Sequence, residues 1–462
     1  MRALRPHAAV LAALLLGGCA TSAIDGNYAE LTRFGRENFG VDPHWLRSEA
    51  DRAAMAERVD ALLATPLSAD DAVRLALGFS PASQVALAGA AAMSADATQS
   101  ARLPNPVFAF ERLLRSSGAE RELEIGQALS VSLLDILLLP ARTAQADLRQ
   151  RQKRLQAAMD LVRKVTAARE AWIRAVAAAR FSAYADELRS AAESGAELAR
   201  RMEANGNFSR LQRAREQALY ADVVARQIRA RQDALAAREA LVRELGLPPA
   251  QAARLSLPER LPELPAAARD EAAVGQSAFD GRLDIRLARA DLDRAARELG
   301  LTRVTSVVNG LDVAALRNRE TGTPAQRGFA VELPLPLFDL GDAARAGTHA
   351  RYLAAFNRSV QTGIAADAEL RERYHAYRSA HDLARHYRDE IVPLRQNITD
   401  EMVMRYNGML SGVFDLLANA QAQVTAMMQA LEAERDFWLA DAALQAALLG
   451  APIEPARPQA SA

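Results

Sequence analysis

The stretch GFAVELPLPLFDLGDAARA, Gly328–Ala346, decides how the rest of the chain is read. Phe329, Val331, Leu333, Leu335 and Leu337 alternate with Ala330 and Glu332, a period of two that predicts a strand with one apolar face. Pro334 and Pro336 cannot donate to a sheet ladder, so strand pairing ends there, and Gly341 gives the backbone freedom to swing into a helix. From Ala343 to Tyr406 only Gly347, Gly363 and Pro393 interrupt the helical pattern. At about 1.5 Å per residue this helix reaches roughly 95 Å, bent or broken locally at Pro393.

The same passage occurs earlier in the chain. Ile125–Asp135 lies over Phe329–Asp339 at an offset of 204 residues, and Asn205, Gly206 and Ser209 lie over Asn407, Gly408 and Ser411 at an offset of 202. The chain is therefore a tandem duplication with a unit of about 200 residues, far longer than a solenoid repeat. Each unit orders as helix, strand, strand, long helix, tight turn, helix. Arg142–Ala204 is the first long helix, and 209–246 and 412–449 are the returning helices. These returns cover little more than half of their long partners, so helices near 82–102 and 279–300 are expected to stack end to end on them. At the turns, Gly206 and Gly408 suit the left-handed position that ends a helix, and Ser209 and Ser411 suit the cap of the next, with Gln212 at capping-box spacing from Ser209.

In the earlier strand Leu123, Ile125, Leu129 and Val131 alternate with Glu122, Glu124, Gly126, Ala128 and Ser130. Partner strands are expected at 107–114 and 304–316, with turns near Ser116–Gly118 and Thr321–Thr323. One face is apolar and the other carries the carboxylates Glu122, Glu124 and Glu332, joined by Glu111 on the partner strand. A half-buried sheet over a helical core has the same pattern. Four strands cannot close, and a bilayer forbids open edges, so a membrane role requires several chains to pool strands. Two chains give eight strands, filled by their own side chains, whereas three give twelve and leave a passage.

Composition agrees with long helices. Of 462 residues 50% are apolar but only 5% aromatic, and 57 basic residues balance 57 acidic ones, which leaves no basic stripe for nucleic acid. At the N-terminus Arg2 and Arg5 precede an apolar run, Ala8–Leu16, that is too short to span a bilayer; Leu16-Gly17-Gly18 then leads to Cys19, the only cysteine. This pattern predicts a lipoprotein signal over residues 1–18 with Cys19 as the lipidated residue. Ala20 in the next position fits an outer-membrane destination. Intrachain disulfides are excluded.

Further signatures are Pro66–Leu77 (PLSADDAVRLAL) before Ser80-Pro81, Ala101–Pro106 (ARLPNP) before the first strand, Leu333–Gly341 after the last, and Gly412–Gln421 (GVFDLLANAQ) after the second turn. In this order, and duplicated, they resemble the TolC-like outer-membrane efflux proteins of the lipoprotein type, over nearly everything from Pro66 to Gly450. The resemblance implies a mainly α protein with a small membrane β-barrel: a homotrimer pooling four strands per chain into twelve, above a twelve-helix tunnel through the periplasm. It implies an exit duct in the outer-membrane lipid that serves an inner-membrane pump through a periplasmic adaptor, for efflux or type I secretion. Pro334, Pro336 and Gly341, with Pro140 in the first repeat, become the barrel-to-tunnel junctions, and the hairpin turns become the adaptor-docking end. Asp415 matches an acidic position that rings the periplasmic constriction, with Phe414 beside it, while the next such position is Ala418. The first junction departs from the pattern in lacking a glycine, and no strand contains Trp. Residues 19–65 have no counterpart and are placed, with 250–278, around the waist of the tunnel. The divisions are then 1–18, 19–65, a first repeat at 66–249, 250–278, a second repeat at 279–450 and a tail at 451–462.

No phosphate loop, His-Glu-x-x-His, serine elbow or paired-cysteine site is present, so neither a catalytic residue nor a cofactor is assigned. His375, His381 and His386 are spaced around a helix, not along one face. A lipid-anchored periplasmic adaptor or coiled-coil scaffold is the rival reading. It suits one hairpin among many β segments better than two hairpins in tandem.

Overall fold

Uninterrupted helix formers and short alternating strands separate along this chain, and the computed structural model follows that division. It describes residues 18–117, 120–271, 281–306 and 310–451. The expected signal segment before Gly18, part of the 250–278 segment and the tail beyond Ala451 lie outside them. The elements are α1 (Gly18–Phe39), α2 (Glu49–Leu62), α3 (Ala69–Gly78), α4 (Pro81–Ser100), β1 (Val107–Ser117), β2 (Glu120–Ser132), α5 (Leu139–Ala204), α6 (Arg210–Leu245), α7 (Leu283–Thr305), β3 (Asp312–Glu320), β4 (Gln326–Glu332), α8 (Asp342–His386), α9 (Val392–Asn407) and α10 (Val413–Leu448). The first long helix, α5, is continuous over 66 residues. The second is divided by a π-helical turn, Tyr387–Ile391, directly before Pro393, whose ring and missing N–H cannot be housed in a regular turn. There the Val392 N–H reaches back five residues to the Tyr387 carbonyl.

The chain forms two compact units. One combines the chain up to Glu30 with Gly89–Gln156 and Ile285–Gly363, and contains the only sheet among the described residues, antiparallel and ordered β1-β2-β3-β4. β2 and β3 belong to different repeats yet pair over nine positions, from Glu124↔Glu320 to Ser132↔Asp312. Strand β3 corrects the expected 304–316. Helix α7 continues through Thr305, its Thr302 and Thr305 hydroxyls donating to the carbonyls of Glu298 and Leu301, and the strand instead includes Arg317, Asn318, Arg319 and Glu320. That polar run shows no alternation to read.

The other unit combines Leu31–Ala88, Ala157–Asp284 and the chain from Ile364 onward. Its larger core joins Val73, Leu75, Ala76 and Leu77 of α3 to Trp172 of α5 and to Leu241 and Leu245 of α6. Ser68 caps α3, accepting from the Asp71 N–H at 3.1 Å, and the Trp172 indole donates to the Leu67 carbonyl at 2.7 Å. A second core gathers Tyr374, Tyr377, Phe437 and Leu444 around Leu264 and Ala268. The extended segment near 255–269 bridges both cores with its carbonyls occupied: Leu255 accepts from Arg238 at 2.8 Å, Pro262 from Trp438 at 3.1 Å and Arg269 from Tyr374 at 3.1 Å. Within this unit each returning helix ends against the residues that open another helix, Ser80 and Pro81 for α6 and Arg282–Asp284 for α10. Gly246 (φ 71°) and Gly450 (φ 71°) turn the chain in the left-handed region, and a Cβ there would lie 2.3 Å from Pro81 Cδ and 2.4 Å from Asp284 Oδ1 respectively.

Candidate functional site

Strand register sorts the sheet into two chemically distinct faces, because paired residues of antiparallel strands share a side. On one side stand Phe108↔Leu129, Leu129↔Ala315, Ala315↔Phe329 and Val131↔Val313, Val313↔Val331. Phe108, Leu129, Phe329 and Val331 are all more than half exposed, so the apolar face is uncovered within the chain. The opposite side carries Glu111, Glu122, Glu124 and Glu332, the four expected carboxylates. Register adds two that the misplaced strand hid: Asp312 opposite Glu332 and Glu320 opposite Glu124. Like charges directly opposed across strands destabilise a sheet. Two such pairs concentrate negative charge on this side of the sheet. Strands β1 and β4 each leave one edge without a partner among the described residues.

The two strand-to-helix junctions are built differently. At the second, strand pairing stops at Glu332, Leu337 N–H bonds Leu335 O at 2.8 Å around Pro336, and Gly341 takes φ 70°. A Cβ on Gly341 would fall 2.4 Å from Ser306 Cβ, and the Gly341 N–H is held by Asp339 Oδ1 at 2.8 Å. At the first, Ser132 caps a helical turn, Leu133–Leu137, whose leading N–H groups donate to Leu311 O. Pro140 then sits in the first turn of α5, where its missing N–H costs nothing. Leu335, Leu337, Phe338 and Leu137 are exposed around these junctions.

At the first hairpin turn Gly206 adopts φ 77°, Asn205 Nδ2 donates to Arg201 O at 2.9 Å, and Ser209 and Gln212 form the expected reciprocal box at 3.2 and 2.9 Å. The second turn corrects two expectations. Gly408 stays at φ −81°, and the left-handed position falls on Met409 (φ 58°), the only non-glycine with positive φ among the described residues. Ser411 is not the cap of α10. Gly412 is, and with no side chain to offer it is served by Asp415 Oδ2, which accepts the Gly412 N–H at 3.1 Å. Phe414 stacks on Phe208 with ring centroids 4.7 Å apart and planes 14° off parallel. That ring pair ties the two turns together, and Phe208 had no signal in sequence beyond its place before Ser209. Met409 and Leu410 stand almost fully exposed.

Cys19 lies in the first turn of α1. Among the described residues no single helix is long and apolar enough to cross a membrane, and no group of His, Cys, Asp and Glu could hold a metal ion. His381 is buried, with Nε2 3.1 Å from the Pro265 carbonyl and its ring against Phe437.

No protein-family model and no curated protein matches the chain. Solved structures supply the likeness. A membrane protein from Pseudomonas aeruginosa matches with a TM-score of 0.68 at 18% identity over 82% of this chain and 93% of that one. The outer membrane protein VceC from Vibrio cholerae matches with 0.68 at 16% identity, over 83% and 96%, and the Campylobacter jejuni CmeC outer membrane channel with 0.71 at 14%, over 83% and 86%. The chain therefore has the fold of outer-membrane channel proteins.

Proposed function

We propose that the chain is one subunit of a TolC-like, lipoprotein-type exit duct of the outer membrane. Three copies pool their sheets into a twelve-stranded barrel, and their paired helices line a tunnel through the periplasm. The duct supplies no energy. It conducts passively what an inner-membrane pump delivers through a periplasmic adaptor, and Cys19 carries the lipid. The observation behind this reading is the sheet itself, which has four strands, two edges without a partner among the described residues, one exposed apolar face and one face of opposed carboxylates. In hydrocarbon such edges must be closed, and chains of four strands close by sharing. At the hairpin turns, the exposed Met409 and Leu410 on a strained backbone offer the adaptor an apolar tip. Asp415 and Phe414 are assigned to the constriction at that end.

Edge-to-edge pairing is directly measurable. Cysteine at Ala109 of β1, combined with cysteine scanned through Gly328, Ala330 and Glu332 of β4, is expected to form disulfides between copies and to give covalent trimers in outer membranes. Chains that stay monomeric at every pairing, and leave the membrane once the lipid is cleaved, would establish the lipid-anchored adaptor or scaffold instead.

A further inference from the structure

Every strand arginine with a described side chain lies on the apolar face, and no strand carboxylate with a described side chain does. The register puts Arg112 of β1 level with Ile125, and Ile125 level with Arg319 of β3; two positions nearer the helices, Arg317 of β3 is directly opposite Arg327 of β4. With strands about 4.8 Å apart and same-face residues about 6.6 Å apart along a strand, the four guanidinium groups share a patch roughly 10–15 Å across. All four arginines are exposed, and none has a carboxylate partner among the described residues. The carboxylates that could neutralise them point to the other side. Arg317 opposite Arg327 is a like-charge pair in direct register, which destabilises a sheet and which a bound counter-charge would relieve.

The position of the patch says what that is. Toward the helices the same face is apolar, through Phe329 and Val331 of β4 and, level with them, Ala315 and Val313 of β3, Leu129 and Val131 of β2 and Phe108 of β1, and the exposed Leu333, Leu335 and Leu337 follow where strand pairing has stopped. The arginines thus begin where this apolar surface ends, on the side away from the helices. Arginine binds phosphate through a planar fork of donors, and four of them beside Ile125, Leu114 and Leu123 match a headgroup that carries phosphate above acyl chains. We infer that Arg112, Arg317, Arg319 and Arg327 form a site on the outward face of the barrel for the phosphates of an anionic, phosphorylated membrane lipid. The inference rests on the barrel reading above, which makes this face the lipid-facing one.

The test uses purified full-length trimers in uncharged detergent, and reads their half-life against heat dissociation with diphosphorylated lipid A, with the same lipid after phosphatase treatment, or with inorganic phosphate. Lipid A is expected to lengthen the wild-type half-life at least fivefold, and the other two less than twofold. For R317Q/R319Q/R327Q the lipid A effect falls below twofold, while the half-life in detergent alone stays the same or rises, because the opposed like charges are gone. The corresponding lysine variant keeps charge without the fork and is expected to retain part of the effect. A stable variant trimer protected by lipid A as strongly as wild type overturns the lipid site and leaves the barrel standing; so does full protection by inorganic phosphate. Failure of the wild-type chain to form trimers overturns the exit-duct reading and the site with it.

Discussion

In the first repeat the returning helix α6 ends at Gly246 against Ser80 and Pro81, whereas in the second α10 ends at Gly450 against Arg282 and Leu283, and the two joints satisfy the same backbone by different chemistry. Both helices stop in a left-handed glycine with the paired hydrogen bonds of a Schellman motif: Leu247 N–H to Val242 O and Gly246 N–H to Arg243 O, Ala451 N–H to Ala446 O and Gly450 N–H to Ala447 O. The next helix must then begin at once. At the second joint the first N–H of α7, from Leu283, is taken by Leu449 O at 3.0 Å. At the first joint the corresponding residue is Pro81, which has no N–H to satisfy. Beside it the Ser80 hydroxyl is buried without a partner, while Arg282 at the second joint, fully buried, bonds Asp284 Oδ2 and Glu369 Oε2, each at 2.8 Å. A duplicated fold thus conserves geometry more strictly than the means of achieving it.

The two joints differ most in what Arg282 contributes. Arg282→Met removes the guanidinium that Asp284 and the partly buried Glu369 share and is expected to cost about 3–5 kcal/mol, whereas Ser80→Ala removes a buried hydroxyl that bonds nothing among the described residues and is expected to change stability by less than about 1 kcal/mol in either direction. Urea unfolding followed by circular dichroism measures both. Equal losses at the two joints would mean that the ion-pair cluster is decoration on a joint held by the glycine turn alone.

The duplication was legible because its markers are local: prolines where pairing stops, glycines where helices stop, and alternation in β2 and β4. Helices α5, α6 and α10 therefore begin and end within a few residues of expectation. Strand β3 was misplaced because Arg317, Asn318, Arg319 and Glu320 take their order from neighbours on both sides, not from their own pattern. Asp312 and Glu320 went unseen on the carboxylate face for that reason. Phe208, Met409 and Arg282 were missed for another: a ring stack, a shifted Schellman motif and a buried charge are set by tertiary contacts, and residue type alone carries no sign of them.

A second contrast sits midway along the returning helices. Glu434 of α10 lines a cavity of about 630 Å³ with Arg180, Arg260, Glu263 and Arg388, and burial pushes its carboxyl up to about 6, against a smaller opposing pull from Arg260 and Arg388. Counted back from the glycines that end the two helices, Gly246 and Gly450, the first repeat has Ala230 at this place, buried and uncharged. The ordinary carboxyl value is 4.5, so between that and about pH 6 the folded chain holds a proton that the unfolded chain has lost. Stability is complete below this window and falls as pH rises through it, by up to about 2 kcal/mol at neutral pH. Glu434→Gln is therefore expected to stabilise the protein by up to about 2 kcal/mol at pH 7.5 and to leave it unchanged at pH 4. A variant whose gain is the same at both pH values would show that burial of this carboxyl does not limit the second repeat.

The smallest expected effect lies in the hairpin turns, where one repeat uses glycine for the left-handed residue and the other does not. Gly206 sits at φ 77° without strain, and Met409 at φ 58° brings a Cβ into a region that costs a branched or long side chain roughly 1 kcal/mol or more. Its side chain recovers none of this by burial, since it is 94% exposed. Met409→Gly relieves the backbone but adds freedom to the unfolded chain, so the net gain is expected to be only about 0.5–1 kcal/mol; Gly206→Met is expected to lose about 1 kcal/mol or somewhat more. Thermal melts of both variants give the signs. If the strain is kept because the Met409 side chain meets an adaptor, Met409→Gly gains stability and loses export in cells, while Met409→Asn, which tolerates the left-handed region, loses export without the full gain. Normal export from a stabilised Met409→Gly protein would reduce the second turn to a less well-made copy of the first.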